Sequence, residues 1–306
     1  MTDVVATAAR PATPDWVRRL PEYLMIWVPL LLSAAHLVTF SLWTIWISFT
    51  PSTLVPVTGW VGLRNYSAVL ASRNWQIAFD NLLLFGSAFV LLSLVTGLLL
   101  AILLDQRIRG ENVLRSIFLY PLAVSFVVTG TVWSWLLNPG IGIQKLVHDL
   151  GWTSFRFDWL VDRDMAIWTI VIAAIWQSSG FAMALFLAGL RSVDADIIKA
   201  AQIDGAGPIR IYRRVVLPTL WPITITVVVV QLQFAISAFD LVRALTNGGP
   251  GIATQLPALV VYDLMFQRSQ LGRGAAAAVL MLLILLAVLL PYAAWRYLRR
   301  RRATHA

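Results

Sequence analysis

The sequence predicts an all-α, polytopic membrane protein with six transmembrane helices. Three observations lead there. Hydrophobic residues make up 59% of the 306 positions, charged residues only 13%, and mean hydropathy is +0.76, whereas a soluble domain carries about 25% charged residues. Six segments are apolar over the ~20 residues that a helix needs to cross a bilayer. The basic residues are distributed unevenly between the connecting pieces.

The six predicted spans are residues 24–49, 80–104, 114–137, 165–189, 221–242 and 275–295. The first is too long for a secretory signal and has no small-residue cleavage pattern after it, so it reads as a retained helix. Residues 1–23 then form a short, mobile tail. Spans two, four and six are the most uniformly apolar. Spans three and five contain Thr, Ser, Gln and Trp and are expected to face protein or water. Asp80 and Asp240 are the acids nearest to span cores, and each is expected to cap a span end. Trp27, Trp43, Trp46, Trp60, Trp152, Trp159 and Trp221 fall near span ends, as an aromatic belt requires. Trp133, Trp135 and Trp176 fall within or close to spans.

With the N-terminus inside, the inner pieces are 1–23, 105–115, 190–222 and 296–306. They carry 3, 3, 5 and 5 Lys or Arg, which is 16 of the chain's 24. Both termini are therefore expected on the cytoplasmic side. The run RYLRRRR, Arg296 to Arg302, anchors the last span there or binds anionic lipid. One membrane domain, 24–295, accounts for nearly the whole chain, with 296–306 as a basic tail. No loop is long enough for a core of its own.

Several chemistries are missing. There are no cysteines, hence no thiolate metal site or cysteine nucleophile. No GxxxxGK[ST] occurs, so the chain has no phosphate-cradling loop. His36, His148 and His305 lack metal-ligand spacing, and no GxSxG is present. An enzyme acting by itself is therefore not expected.

The most informative stretch is KAAQIDGAGPIRIYRRVVLP, Lys199 to Pro218. Ser192 is placed to cap a helix, with Asp194 and Asp196 in its first turn, where the helix dipole favours anions. Val193, Ile197, Ala200 and Ala201 follow on a narrow apolar face. Gly205 suits a positive φ that stops the helix, and Pro208 suits the first turn of a second helix running through Tyr212. Pro218 and Pro222 break the chain before span five. A helix, a tight turn and a basic helix, too polar to insert and too apolar to be merely solvated, read as a docking surface for a cytoplasmic partner. A helix lying on lipid headgroups and a DNA-reading helix-turn-helix are the alternatives, the second disfavoured by its tether between two spans.

At these residues the chain resembles the EAA loop of binding-protein-dependent ABC importer permeases. Ala200, Ala201, Asp204, Gly205, Ala206, Tyr212, Val215, Leu217 and Pro218 match that pattern without a gap; Lys199 stands where the family usually has Glu. WVGLRNYSAVL, NPGIGIQKLV, FLAGLRSVDADI and LTNGGPG resemble the carbohydrate branch. LYPLAVSFVVTGTVWSWLLNPG and AAIWQSSGFAMALFLAGL resemble glucose/mannose-type permeases within it. The resemblance covers about residues 24–296 and implies a type I ABC importer permease in the bacterial inner membrane. It also implies a second permease, two ATPase subunits that bind ATP and magnesium, and an extracytoplasmic sugar-binding protein as partners. Lys199, Ala200, Ala201, Asp204, Gly205, Ala206, Pro208 and Tyr212 would then couple to the ATPase. No cofactor is expected in this chain, and the expected contacts are with protein and membrane lipid, not nucleic acid.

A neutral sugar needs hydrogen-bonding groups and flat apolar surfaces. Gln177, Ser178 and Phe181, toward the start of span four, and Gln231, Gln233, Phe234 and Ser237 on span five offer both. Gln231, Phe234 and Ser237 recur on roughly one helical face. Each Gln serves equally well to tie neighbouring helices together. The alternative is the same machinery for an oligosaccharide or a glycerol phosphate; no Lys or Arg lies deep in spans three to five, which disfavours an anionic cargo. A secondary transporter would need intramembrane coupling acids or inverted repeats, and neither is evident.

Overall fold

A computed structural model describes residues 15–106 and 108–304. Every regular element among them is helical. In chain order they are α1 (Asp15–Ser48), α2 (Arg64–Leu70), α3 (Arg73–Leu104), α4 (Glu111–Ala123), α5 (Phe126–Leu136), α6 (Ile143–Asp149), α7 (Ala166–Arg191), α8 (Ala195–Ile203), α9 (Pro208–Ile211), α10 (Leu217–Thr219), α11 (Trp221–Ile236), α12 (Phe239–Leu245), α13 (Pro257–Tyr262) and α14 (Leu271–Thr304). Wider π turns, Tyr212–Val216 and Asp263–Gln267, precede α10 and follow α13.

Four unbroken helices are long and apolar enough to cross a membrane: Tyr23–Ser48, Arg73–Leu104, Ala166–Arg191 and Leu271–Trp295. Two bent pairs complete the set of six if each counts as one span: α4 with α5, bent by 99°, and Pro208–Thr219 with α11, bent by 64°. Predicted span three is thus a broken helix. Ser125 at the break takes an extended conformation and caps α5 by accepting from Val128 N at 3.3 Å. Predicted span five ends at Ile236, and residues 239–242 belong to the separate α12.

Other boundaries also move. Helix α1 begins at Asp15, inside the predicted tail 1–23; residues 1–14 lie outside the described residues. Helix α3 begins at Arg73, capped by Ser72, so Asp80 lies inside the helix and caps nothing. Asp240 sits in the first turn of α12, whose N-cap is Ala238. Helix α14 continues to Thr304, although most side chains of Arg296–Arg302 lie outside the described residues.

Helix α7 is the centre of the bundle, and α3 and α4 lie against it because glycines leave room. A Cβ on Gly97 of α3 would stand 2.5 Å from Ala182 Cβ of α7, and one on Gly180 of α7 would stand 2.0 Å from the Phe118 carbonyl oxygen of α4. In a bilayer, where lipid is as apolar as Leu, such close backbone contact is a main source of association. One core, built on Phe85, Phe89, Ile170, Leu241 and Leu256, fills the half of the bundle beyond the bend of α4 and α5. A second, built on Leu104, Met183, Phe186, Leu187, Ile211, Val216 and Leu220, fills the half beneath the 190–222 loop. Helix α1 packs on α14, and its apolar side chains are otherwise exposed, as expected of a lipid-facing helix.

Candidate functional site: the loop between spans four and five

The predicted helix, turn and helix are present, with a different cap. Helix α7 runs on to Arg191, so Ser192 closes its end by donating to Gly189 O at 2.7 Å. Asp194 caps α8 instead, its Oδ1 accepting from Asp196 N at 2.9 Å. Of the predicted apolar face, Ala201 does turn to the bundle, but Ile198 takes the place expected of Ile197. Ile198 and Ala201 pack on the second core, while Ile197 and Ala200 are exposed.

Gly205 ends α8 with φ +76°. Ala206 turns inward against the core; Asp204 and Gly207 remain exposed. Pro208 opens α9 at its first position. Ile211, Val216 and Leu220 are then buried among Ala101, Leu104, Met183 and Leu187 of α3 and α7. Tyr212, half-buried, joins them. The second limb of the loop is therefore welded to two spans, and the first limb leans on it.

The outer surface is the reverse. Ile203 and Ile209 flank the turn and are 86% and 84% exposed. Arg210, Arg213 and Arg214 line an open groove beside Gly205 and Gly207. Lys199 pairs with Asp196 in its own helix at 3.0 Å, both side chains well exposed. An exposed pair of this kind contributes ~0.2–1 kcal/mol, so Lys199 is not committed to it. Arg191 at the root of the loop meets Glu111 at 2.6 Å and Asp105 at 3.8 Å, tying α7 to the α3–α4 connection.

The polar residues of the spans divide into two groups. Gln177 and Ser178 lie in the middle of α7, each 2% exposed. Gln177 Nε2 donates to Val124 O at 2.7 Å, at the break between α4 and α5, where a carbonyl has lost its helical partner. Gln231 is fully buried, and its Nε2 donates to Ser93 Oγ on α3. It faces the neighbouring helix, away from exposed Gln233 and Ser237. Phe181 and Phe234 meet edge to face with ring centres 6.4 Å apart, and Phe126, which sequence reasoning passed over, joins Phe234 at 6.2 Å. Trp133 and Trp176 meet edge to face at 6.0 Å, while Trp135 is 61% exposed.

Gln231→Ala is expected to lower the thermal midpoint in detergent through loss of the Ser93 contact, an interhelical bond of about 0.6–1.7 kcal/mol. The KM for transport should stay unchanged. A raised KM with an unaltered midpoint would move Gln231 into the pathway.

Comparison with known proteins shows the family and the fold. The chain is 38% identical over 281 residues, 91% of its length and 96% of the relative's, to a probable ABC transporter permease protein of Pyrococcus horikoshii. It is 35% identical over 237 residues to a xylose/arabinose import permease protein of Haloferax volcanii, covering 77% of this chain and 74% of that one. A chain from the crystal structure of a bacterial ABC transporter involved in the import of the acidic polysaccharide alginate superposes with a TM-score of 0.77, covering 94% of this chain and 97% of its own; at 19% identity it speaks for the fold. Residues 93–304 match the pattern of the binding-protein-dependent transport system inner membrane component, and the chain belongs to that family, as an ABC transporter permease subunit.

Proposed function

We propose that this chain forms half of the pore of an ATP-driven importer for a neutral monosaccharide, of the glucose or mannose type. A second permease completes the pore, two ATPase subunits supply the work, and an extracytoplasmic binding protein delivers the sugar. The observation that carries this reading is the two-sided loop. Its exposed Ile203 and Ile209 offer an ATPase cleft two apolar anchors beside a fixed turn, while buried Ile211, Val216 and Leu220 pass any displacement to α3 and α7. Lys199, Ala200, Ala201, Asp204, Gly205, Ala206, Pro208 and Tyr212 make up this coupling element. It lies with both termini on the cytoplasmic side.

Within the spans, Phe181 and Phe234 are assigned to the C–H faces of the sugar, and Gln233 and Ser237, exposed on α11, to its hydroxyls. Gln177 holds the bend of α4 and α5 that shapes this region, and Ser178 follows it in α7 as a further polar residue of the pathway. The pentose transport named for the Haloferax relative supports a monosaccharide, and the lack of basic residues deep in the spans supports a neutral one.

The test is uptake of radiolabelled sugars by the assembled complex in proteoliposomes with ATP inside. Glucose or mannose uptake that stops without ATP is expected, and Phe234→Ala should raise KM several-fold at unchanged kcat. Uptake by this chain alone without ATP would overturn the reading. Preference for a disaccharide would correct the substrate and keep the machinery.

A further inference from the structure

The two halves of the broken span belong to different bodies. Helix α4 is locked to α7, where a Cβ on Gly180 would run into the Phe118 carbonyl. Helix α5 is locked to α12 instead: a Cβ on Gly130 would stand 2.7 Å from Ala244 Cβ and 2.8 Å from Leu241 O. It touches α7 only sparingly. Among the described residues no hydrogen bond joins α5 to α7, and the bond from Gln177 Nε2 to Val124 O is the one that reaches the break from another helix.

Two buried polar atoms beside the break are unpaired. Thr129 is 1% exposed and its Oγ1 has no hydrogen-bond partner; nor has Gln177 Oε1. Thr131 in the same helix, and Thr96, Thr219, Thr224 and Thr226 elsewhere, each donate to the carbonyl four residues back. The Thr129 hydroxyl is instead turned off its own backbone into packed protein, where an unpaired polar group is costly. Its neighbours bracket its place. Val124, before it, is bonded by Gln177, and Trp133, one turn after it on the same face, meets Trp176 beside Gln177. The stretch of α5 that carries Thr129 therefore runs past Gln177.

The cap at the break is weak as well. Val128 N donates to Ser125 Oγ at 3.3 Å, long for such a bond. In a continuous helix Val128 N donates to Val124 O, the carbonyl that Gln177 now serves. Straightening therefore supplies Val124 O with the Val128 N–H and releases Gln177 Nε2 for Thr129 Oγ1. The exchange gives up only the long cap on Ser125, an exposed residue, and it removes one buried orphan.

We infer that Thr129 is a positioning residue for transport: its hydroxyl accepts the Gln177 amide in a second arrangement, in which the α4–α5 break is straightened and α5 and α12 have swung together against α7. One span then has two bonded arrangements, which is what a switching element requires. Thr129 acts through Gln177 and needs no contact with the sugar. Its effect on uptake rests on the transport function proposed above; its effect on the angle of the break does not.

The assembled complex is reconstituted with wild type, Thr129→Val and Thr129→Ser. Valine matches threonine in shape and lacks the hydroxyl. Because that hydroxyl has no partner in the present arrangement, Thr129→Val is expected to keep or raise the thermal midpoint while slowing ATP-driven uptake about tenfold at unchanged KM. Thr129→Ser should retain most of the uptake. Spin labels on Val113→Cys in α4 and Val132→Cys in α5, both exposed in a chain without native cysteine, read the break by double electron–electron resonance. Wild type is expected to show a second, longer distance with ATP and vanadate, and Thr129→Val the shorter one alone. A midpoint that falls together with uptake makes Thr129 a packing residue and overturns the inference. So does wild-type uptake by Thr129→Val, or a single unchanging distance in wild type. A second distance that depends on Thr129, in a complex that imports no sugar, upholds the switch and removes the transport function proposed above.

Discussion

Gly205→Val is expected to abolish ATP-driven uptake while leaving insertion, yield and thermal stability of the chain unchanged. Gly205 has φ +76°, and a Cβ built on it meets nothing within 4 Å. The penalty is therefore one of backbone conformation and not of collision. A non-glycine residue in the left-handed region costs about 1–2 kcal/mol, and more when β-branched. Two backbone bonds, Gly205 N to Gln202 O and Ala206 N to Ala201 O at 3.0 Å each, and the inward Ala206 are all that hold the turn against that cost, because Asp204, Gly205 and Gly207 are exposed. Valine therefore relaxes to negative φ, and the chain leaves the turn in a new direction. Helix α8 then swings relative to α9, which Ile211 fixes to the bundle. Ile203 and Ile209 cease to form one surface, and a rigid coupling element becomes two loosely joined pieces.

The control is Gly205→Asn, since Asn tolerates the left-handed region. It should keep most of the uptake that Val removes. Side-by-side transport and ATPase measurements on the assembled complex decide the matter. If Val and Asn lose uptake equally, the turn conformation is not what matters. If Val transports normally, the loop does not couple.

Much of this loop was legible in the sequence because its signals are local. Gly205, Pro208 and the acids of the first turn of α8 each act through their own backbone. The misplacement of the cap shows where locality ends. Ser192 and Asp194 are both good caps, and the choice between them depends on how far α7 runs, which its packing on α3 and α4 decides. The shift of the inward face from Ile197 to Ile198 follows from the same two residues.

The spans divide in the same way. Uniform segments such as α3, α7 and α14 follow from hydropathy. The break between α4 and α5 does not, because the carbonyl it frees at Val124 is satisfied by Gln177, 53 positions away. Gln231 poses the same problem. Its face is set by Ser93 on another helix, so its i, i+3 relation to Phe234 does not report a shared environment. The polar pathway was therefore legible as a set of residue types, while the role of each member depends on contacts that only the folded chain makes.

Gly180→Leu is expected to prevent recovery of the folded protein from the membrane, and Gly180→Ala to lower its thermal midpoint by several degrees. A Cβ at Gly180 would lie 2.0 Å from Phe118 O, 2.9 Å from Phe118 C and 3.3 Å from Leu119 Cα. All three atoms belong to the backbone of α4, so no side chain can rotate to make room. Helix α4 would have to move as a body by more than an ångström, away from the Gln177 bond that supports the bend. Overpacking usually costs about 1–3 kcal/mol, and a contact with helix backbone belongs at or above the top of that range. Gly86→Ala provides the comparison, because its Cβ would sit 3.7 Å from Ala235 Cβ, an ordinary contact. Fluorescence-detected gel filtration and thermal melts of the three variants should therefore rank Gly86→Ala near wild type, Gly180→Ala below it and Gly180→Leu last. Equal behaviour of Gly86→Ala and Gly180→Ala would mean that α4 does not lie against α7 at this point. The bend, the Phe126–Phe234 contact and the pathway assigned to them would then have to be redrawn together.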